Sequence, residues 1–113
     1  MPPQVPSAPL LASFHALIQL LNGWDDNQAT RILDDNVFLD ETPARLRRAA
    51  EDIVSDSGHL RIVSVDPTNA TSGRAMIATS SGRFLQLHVM MAPTGERLIQ
   101  RYTVTEASEE VEL

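Results

Sequence analysis

The sequence contains no cysteine and no lysine, only three histidines, one tryptophan and one tyrosine, and no long apolar run. Without cysteine there is neither a disulfide framework nor a thiolate metal site, and His15, His59 and His88 are too scattered to supply a pair of ligands at helical spacing. No metal and no cofactor are expected. The nine basic residues, all arginine, are outnumbered by fifteen acidic ones, giving a net charge of −6. That balance argues against a nucleic-acid partner, whose affinity depends on clustered cations, and against an anionic membrane surface. No stretch approaches the roughly 20 apolar residues that span a bilayer, and the N-terminus shows neither a basic region nor a small-residue cleavage site. The expected location is the cytoplasm.

What the sequence does have is hydrophobic residues at 42% over 113 positions, enough for a single domain with a small core and one pocket. Met1 to Pro9 holds four of the seven prolines and is expected to be a flexible arm (residues 1–9) ahead of a single domain spanning residues 10–105. From Leu10 to Asn22, the residues Leu10, Phe14, Leu17, Ile18 and Leu21 recur at helical spacing. Asp25 with Gln28 has the form of a capping box for a short second helix that buries Ala29, Ile32 and Leu33. Val37-Phe38-Leu39 reads as a buried bridge or rudimentary strand. Thr42-Pro43 then starts a third helix, with Ala44, Leu46, Ala49, Ala50, Ile53 and Val54 as its apolar positions and Gly58 as its stop.

After Gly58 the period changes from helical to alternating. Leu60 to Val65 reads as a strand, Asp66-Pro67-Thr68-Asn69 as a turn, and Arg74 to Thr79 as a second strand. Past Ser80-Ser81-Gly82, a long strand from Arg83 to Met91 places Leu85, Leu87, Val89 and Met91 on one face and Phe84, Gln86, His88 and Met90 on the other. Pro93-Thr94-Gly95 leads to a last strand, Arg97 to Thr105, and residues 106–113 form an acidic tail. The expected fold class is α+β: three N-terminal helices packed on a curved four-stranded antiparallel sheet. One sheet face would then remain uncovered. With Phe84 and Met90 beside Gln86 and His88, it is expected to be a homodimer interface.

At Gly23 to Thr42 the order Gly-Trp-Asp, short helix, Asp-Asp-Asn-Val-Phe and then an acidic residue resembles the opening of the cone-shaped nuclear transport factor 2 (NTF2-like) superfamily. That superfamily includes ketosteroid isomerase and polyketide cyclases. The resemblance spans roughly residues 10 to 105 and implies an NTF2-like cone enclosing a pocket for an apolar small molecule. It places the general-base aspartate of the isomerase pattern on Asp40. The oxyanion-binding tyrosine of that pattern falls near Ala16 and its protonated acid near Leu87, and neither of these side chains can donate a hydrogen bond. Isomerase chemistry in its usual form therefore lacks its largest electrostatic contribution. Because the hairpin usual after the second helix is nearly absent, the layout also looks like the N-terminal domain of the β-lactamase-like serine hydrolases, such as the one from clavulanic acid biosynthesis. No Ser-x-x-Lys motif of the accompanying hydrolase domain occurs, so the chain reads as a stand-alone relative or a fragment.

Two functions follow as expectations. One is an isomerase or cyclase of secondary metabolism, holding an apolar metabolite largely by shape, with Asp40 as acid and base and with His15, Trp24, Phe38, Leu85 and Leu87 lining the pocket. The other is a non-catalytic dimerising or accessory domain. Each residue carries a plainer reading beside its functional one. Asp40 or Thr42 serves as the cap of the third helix, His15 as a surface residue at the edge of the first, and Trp24 as a staple between the first two helices. His88 and Tyr102, on neighbouring strands, are candidates for a cross-strand pair. Arg45, Arg47 and Arg48 read as solvated surface, and Asn69-Ala70-Thr71 as a chance glycosylation pattern. No nucleophile elbow and no phosphate-binding glycine loop is present.

Overall fold

The computed structural model describes residues 7–34, 37–38, 41–92 and 99–106. Three helices, α1 (Ala8–Asn22), α2 (Asp26–Ile32) and α3 (Pro43–Ser57), precede four strands, β1 (Leu60–Asn69), β2 (Ser72–Thr79), β3 (Phe84–Met91) and β4 (Ile99–Glu106). The strands form one antiparallel meander in the order β1-β2-β3-β4. This is the expected α+β architecture. No described helix is long and apolar enough to cross a membrane.

α1 starts two residues before the expected Leu10. The Ser7 hydroxyl accepts from the Leu10 N–H at 3.2 Å and Pro9 sits in the first turn, so the cap and the proline recruit Ala8 and Pro9 from the expected arm. Its apolar stripe carries the core: Leu10, Phe14 and Leu17 are wholly buried against the inner face of the sheet, among Ile77, Leu87 and Ile99. At its last residue the Asn22 side chain behaves as a short piece of strand. Its Nδ2 donates to the Leu60 carbonyl at 3.0 Å, and its Oδ1 accepts from the Leu60 N–H at 2.8 Å.

α2 begins as the sequence implies, with the Asp25 carboxylate accepting from the Asn27 and Gln28 N–H groups. Val37 and Phe38 are helical rather than extended, which corrects the strand alternative for that stretch, while Val37 is buried as the bridge alternative has it; Leu39 lies outside the described residues. The strand-like contact falls earlier, where Leu33 makes an isolated parallel bridge with Ile99. Thr42 caps α3 by accepting from the Arg45 N–H at 3.2 Å. α3 packs chiefly on α1, so of its expected apolar positions only Ala50 is buried, while Leu46, Ile53 and Val54 stay half-exposed.

β1 runs on through the segment expected to turn. Asp66 pairs with Arg74 across the sheet, with the two charges 3.6 Å apart, and Pro67 lies opposite Gly73. Proline is tolerated because β1 is an edge strand. Gly73 is needed opposite it, since a Cβ there would come within 2.9 Å of the Asp66 carbonyl oxygen. The turn is instead Ala70-Thr71, with Asn69 Oδ1 accepting from the Thr71 N–H at 2.9 Å. β1 and the β3–β4 pair carry bulges, and the one opposite Met90 and Met91 matters most. Ile99 faces inward opposite Met91, but Arg101, not Gln100, lies opposite Met90. This extra residue reverses the alternation, so that Tyr102 and Val104 face inward opposite Val89 and Leu87.

Candidate functional site

Because α3 leans on α1 rather than down onto the last strand, its apolar stripe and the inner side of β4 are left facing each other across a gap. The gap is a cleft of about 620 Å³. Leu46, Ala49 and Ile53 of α3 form one wall, Tyr102 and Val104 of β4 the other, and Val37 closes part of it. This volume is ordinary for a small-molecule site. At the rim, Arg45 and Glu41 form an exposed ion pair at 3.7 Å, a contact worth little to stability but able to meet a polar group on a ligand.

Tyr102 is the main chemical feature of the cleft. Burial pushes its phenol up from 10.0 to about 12, so it stays protonated throughout the neutral range and offers a donor. No described residue takes a hydrogen bond from it. A carbonyl or carboxylate oxygen of a bound molecule would fit that role. Among the described residues, no group of three His, Asp or Glu could hold a metal ion.

The structure disperses the residues singled out from the sequence. His15 is exposed on α1. Trp24 is half-buried at the edge of the core and donates from Nε1 to Asp26 Oδ1 at 2.9 Å, tying the end of α1 to the start of α2. Asp26 also receives Arg47 of α3 at 3.5 Å, so one carboxylate joins α2 to α3 and to the loop that follows α1. Phe38 packs on the core, and Leu85 and Leu87 lie within it, Leu87 at 1% exposure. None of these five is among the residues that line the cleft. Asp40 lies outside the described residues; Glu41, next to it in the chain, is one of the lining residues. The expected cross-strand pair is corrected as well. His88 stands opposite Thr103 on the outer face and Tyr102 opposite Val89 on the inner one, so the two point to opposite sides of the sheet.

Leu46, Ile53, Tyr102 and Val104 were the residues to find. The spacing of Ile99, Tyr102 and Val104 carried the signal, because it breaks a strict two-residue period by one position, as a bulge does. On the outer face, Phe84 and Met90 are 38% and 46% exposed, with Met76 half-buried between their strands' polar residues. A smaller depression of about 350 Å³ lies there, beside His88, Met90 and Arg101. No family model matches the chain, and neither a curated protein nor a solved structure resembles it significantly.

Proposed function

We propose that this domain binds an apolar small molecule in the cleft between α3 and β4, as a member of the NTF2-like superfamily. The carrying observation is the cleft itself, a largely apolar gap of about 620 Å³ with a half-buried, protonated tyrosine on one wall. A ligand with an apolar body and one oxygen acceptor matches this lining. If the domain is catalytic, it acts as an isomerase or cyclase. Shape then holds the substrate in a reactive fold, Tyr102 donates to its oxygen, and Asp40 moves the proton.

An anilinonaphthalene sulfonate dye serves as the probe. Ala49→Trp fills the cleft from an exposed position of α3 and is expected to weaken dye binding at least about tenfold, whereas Met90→Glu on the outer face leaves it unchanged. Equal binding by the Ala49→Trp variant and the parent would remove the cleft from consideration. With a turned-over metabolite in hand, Asp40→Asn separates the two forms of the reading: unchanged turnover takes Asp40 out of the chemistry.

The exposure of Phe84 and Met90 on a broad sheet face favours a second reading, in which the domain is a non-catalytic module that dimerises through this face. Sedimentation equilibrium of the parent is then expected to give twice the chain mass and that of Met90→Glu the single mass. A parent that sediments as a monomer at high concentration would end this reading.

A further inference from the structure

β4 is an edge strand, and the direction of its backbone groups follows from its neighbours. Met91 donates its N–H to the Thr71 carbonyl at 2.7 Å, on the β2 side of β3. Backbone groups alternate sides along a strand, so Val89 and Leu87 also face β2, while Met90, His88 and Gln86 face β4. Their partners Arg101, Thr103 and Thr105 therefore bond toward β3, and Tyr102 and Val104 direct their N–H and C=O groups away from the sheet. Before the bulge this edge is taken by Asp34, whose N–H donates to the Ile99 carbonyl at 2.7 Å. Beyond it, no described residue bonds to the outward groups of Tyr102 or Val104. The consecutive residues Gln100 to Val104 all border the cleft although their side chains alternate between faces, so the cleft is open along this edge.

The two edges of the sheet differ in how they are protected. β1 carries a proline and two bulges, the usual devices against further pairing. The run from Arg101 to Glu106 carries neither. Its residues also match themselves when the run is turned about a two-fold axis at Thr103. Tyr102 then lies opposite Val104 of the second copy, and Val104 opposite that copy's Tyr102. The backbone directions agree, because each of these pairs joins two residues whose groups point outward and so exchanges hydrogen bonds both ways. An axis at Val104 satisfies the backbone equally but sets the inward-facing Tyr102 against Glu106, a poor cross-strand pair. With the axis at Thr103 the charges complement instead. Glu106 of the second copy reaches the level of Gln100, beside Arg101, and no charge faces a like one.

We propose that two copies of this chain pair through the outer edge of β4, antiparallel and about a two-fold axis at Thr103. The sheet then runs on from one copy into the other. The contact is isologous, so it closes at two copies, and the protected β1 edge of each adds no third. On the inner face Tyr102 and Val104 of both copies form one apolar cluster, with the two tyrosines on a diagonal that aromatic side chains can span. Each cleft, open along β4 in the single chain, gains a wall from the other copy, whose Tyr102 and Val104 stand where the lining stops. A ligand held against Tyr102 therefore meets both copies. The pairing itself depends on no ligand, and it uses a different surface from Phe84 and Met90.

The chain has no cysteine, so a single introduced thiol reports on the register. Thr103→Cys puts the two thiols at a non-hydrogen-bonded pair whose Cα atoms are about 4.5 Å apart, within disulfide reach. Thr105→Cys, exposed on the same face, puts them roughly 14 Å apart. Under mild oxidation of the full chain, Thr103→Cys is expected to form covalent dimer at least about tenfold faster than Thr105→Cys. Adding Val104→Pro is expected to abolish the difference, since it removes an outward N–H and costs no bond to β3. Adding Met90→Glu on the outer face is expected to preserve it. Equal or inverted rates for the two thiols overturn the proposal, and that comparison stands whether or not the proline variant folds. A Thr103→Cys cross-link that is lost with Met90→Glu also overturns it, because it would assign the contact to the outer face. Dye binding reports separately on the cleft, so failure of the pairing and failure of the ligand site are distinguishable.

Discussion

Replacing Asn22 with alanine removes two hydrogen bonds that join the end of α1 to the start of β1 across 38 residues of chain. Each bond contributes about 1 kcal/mol net, so their loss costs about 2 kcal/mol. The site is only part-buried, and water can reach the freed Leu60 groups, which keeps the cost from rising further. Alanine in the last turn of α1 returns about 0.5 kcal/mol through its higher helix propensity. The expected net loss is about 1.5 kcal/mol, or a fall of about 6 °C in Tm for a domain of this size. Trp24 is the only tryptophan, so urea unfolding can be followed by its fluorescence, with an unchanged m-value confirming an effect on stability alone. Asn22→Asp is the sharper test. Its carboxylate still accepts from the Leu60 N–H, but at neutral pH it presents a charge to the Leu60 carbonyl and has no proton to donate. The folded pKa of the new acid is therefore raised above its unfolded value of about 3.9. Relative to the parent, the Asp variant is expected to recover stability below that unfolded value, and to lose it as pH rises through the folded pKa. An Ala variant that loses less than about 0.5 kcal/mol, or an Asp variant whose deficit is flat with pH, would refute this bridge.

Tyr102 is the only tyrosine, so a phenolate absorbance titration reports on it alone and is expected to show a midpoint near 12 in the folded protein, against 10.0 after unfolding. Because the folded value is the higher one, this residue's contribution to stability is complete below pH 10 and is lost as pH rises toward 12; a folded-state midpoint near 10 would show that the phenol is not buried. Gly58→Ala is expected to cost at least about 2 kcal/mol in chemical denaturation. Gly58 sits at φ 86° and ψ −161°, a region open to glycine, and an added Cβ would overlap the Ser80 hydroxyl that caps the His59 N–H.

The fold was legible in the sequence wherever one periodicity ran uninterrupted. The α1 stripe, the Asp25 and Thr42 caps, Gly58, and the alternation of β3 from Phe84 to Met91 all appear where the pattern places them. It was less legible where tertiary context overrides a local rule. Asp66-Pro67 carries turn chemistry, yet on an edge strand opposite a glycine it continues as β1. The site was harder still. Leu85 and Leu87 lie on the correct face, but α1 fills the space above them, so they became core instead of lining a pocket. The cleft opens one strand further on, because α3 rests on α1, and no local pattern reports that choice of packing partner. Tyr102 reaches the inner face only through the bulge between Ile99 and Arg101.

α1 is bonded at both ends to a single hairpin. Ser7 donates its hydroxyl to the Ala70 carbonyl at the β1–β2 turn at 2.8 Å, and Asn22 holds Leu60 where that hairpin begins. A helix fixed at its two ends cannot slide or tilt over those strands without breaking one attachment. At the opposite margin, where α3 meets β4 across open space, no side-chain bond of this kind joins the two elements among the described residues. The molecule thus has one half tied together by these bonds and a filled core, and another that holds open volume. Mutations in the first half would be read as changes in melting, and mutations in the second as changes in what the cleft admits and how fast it lets go.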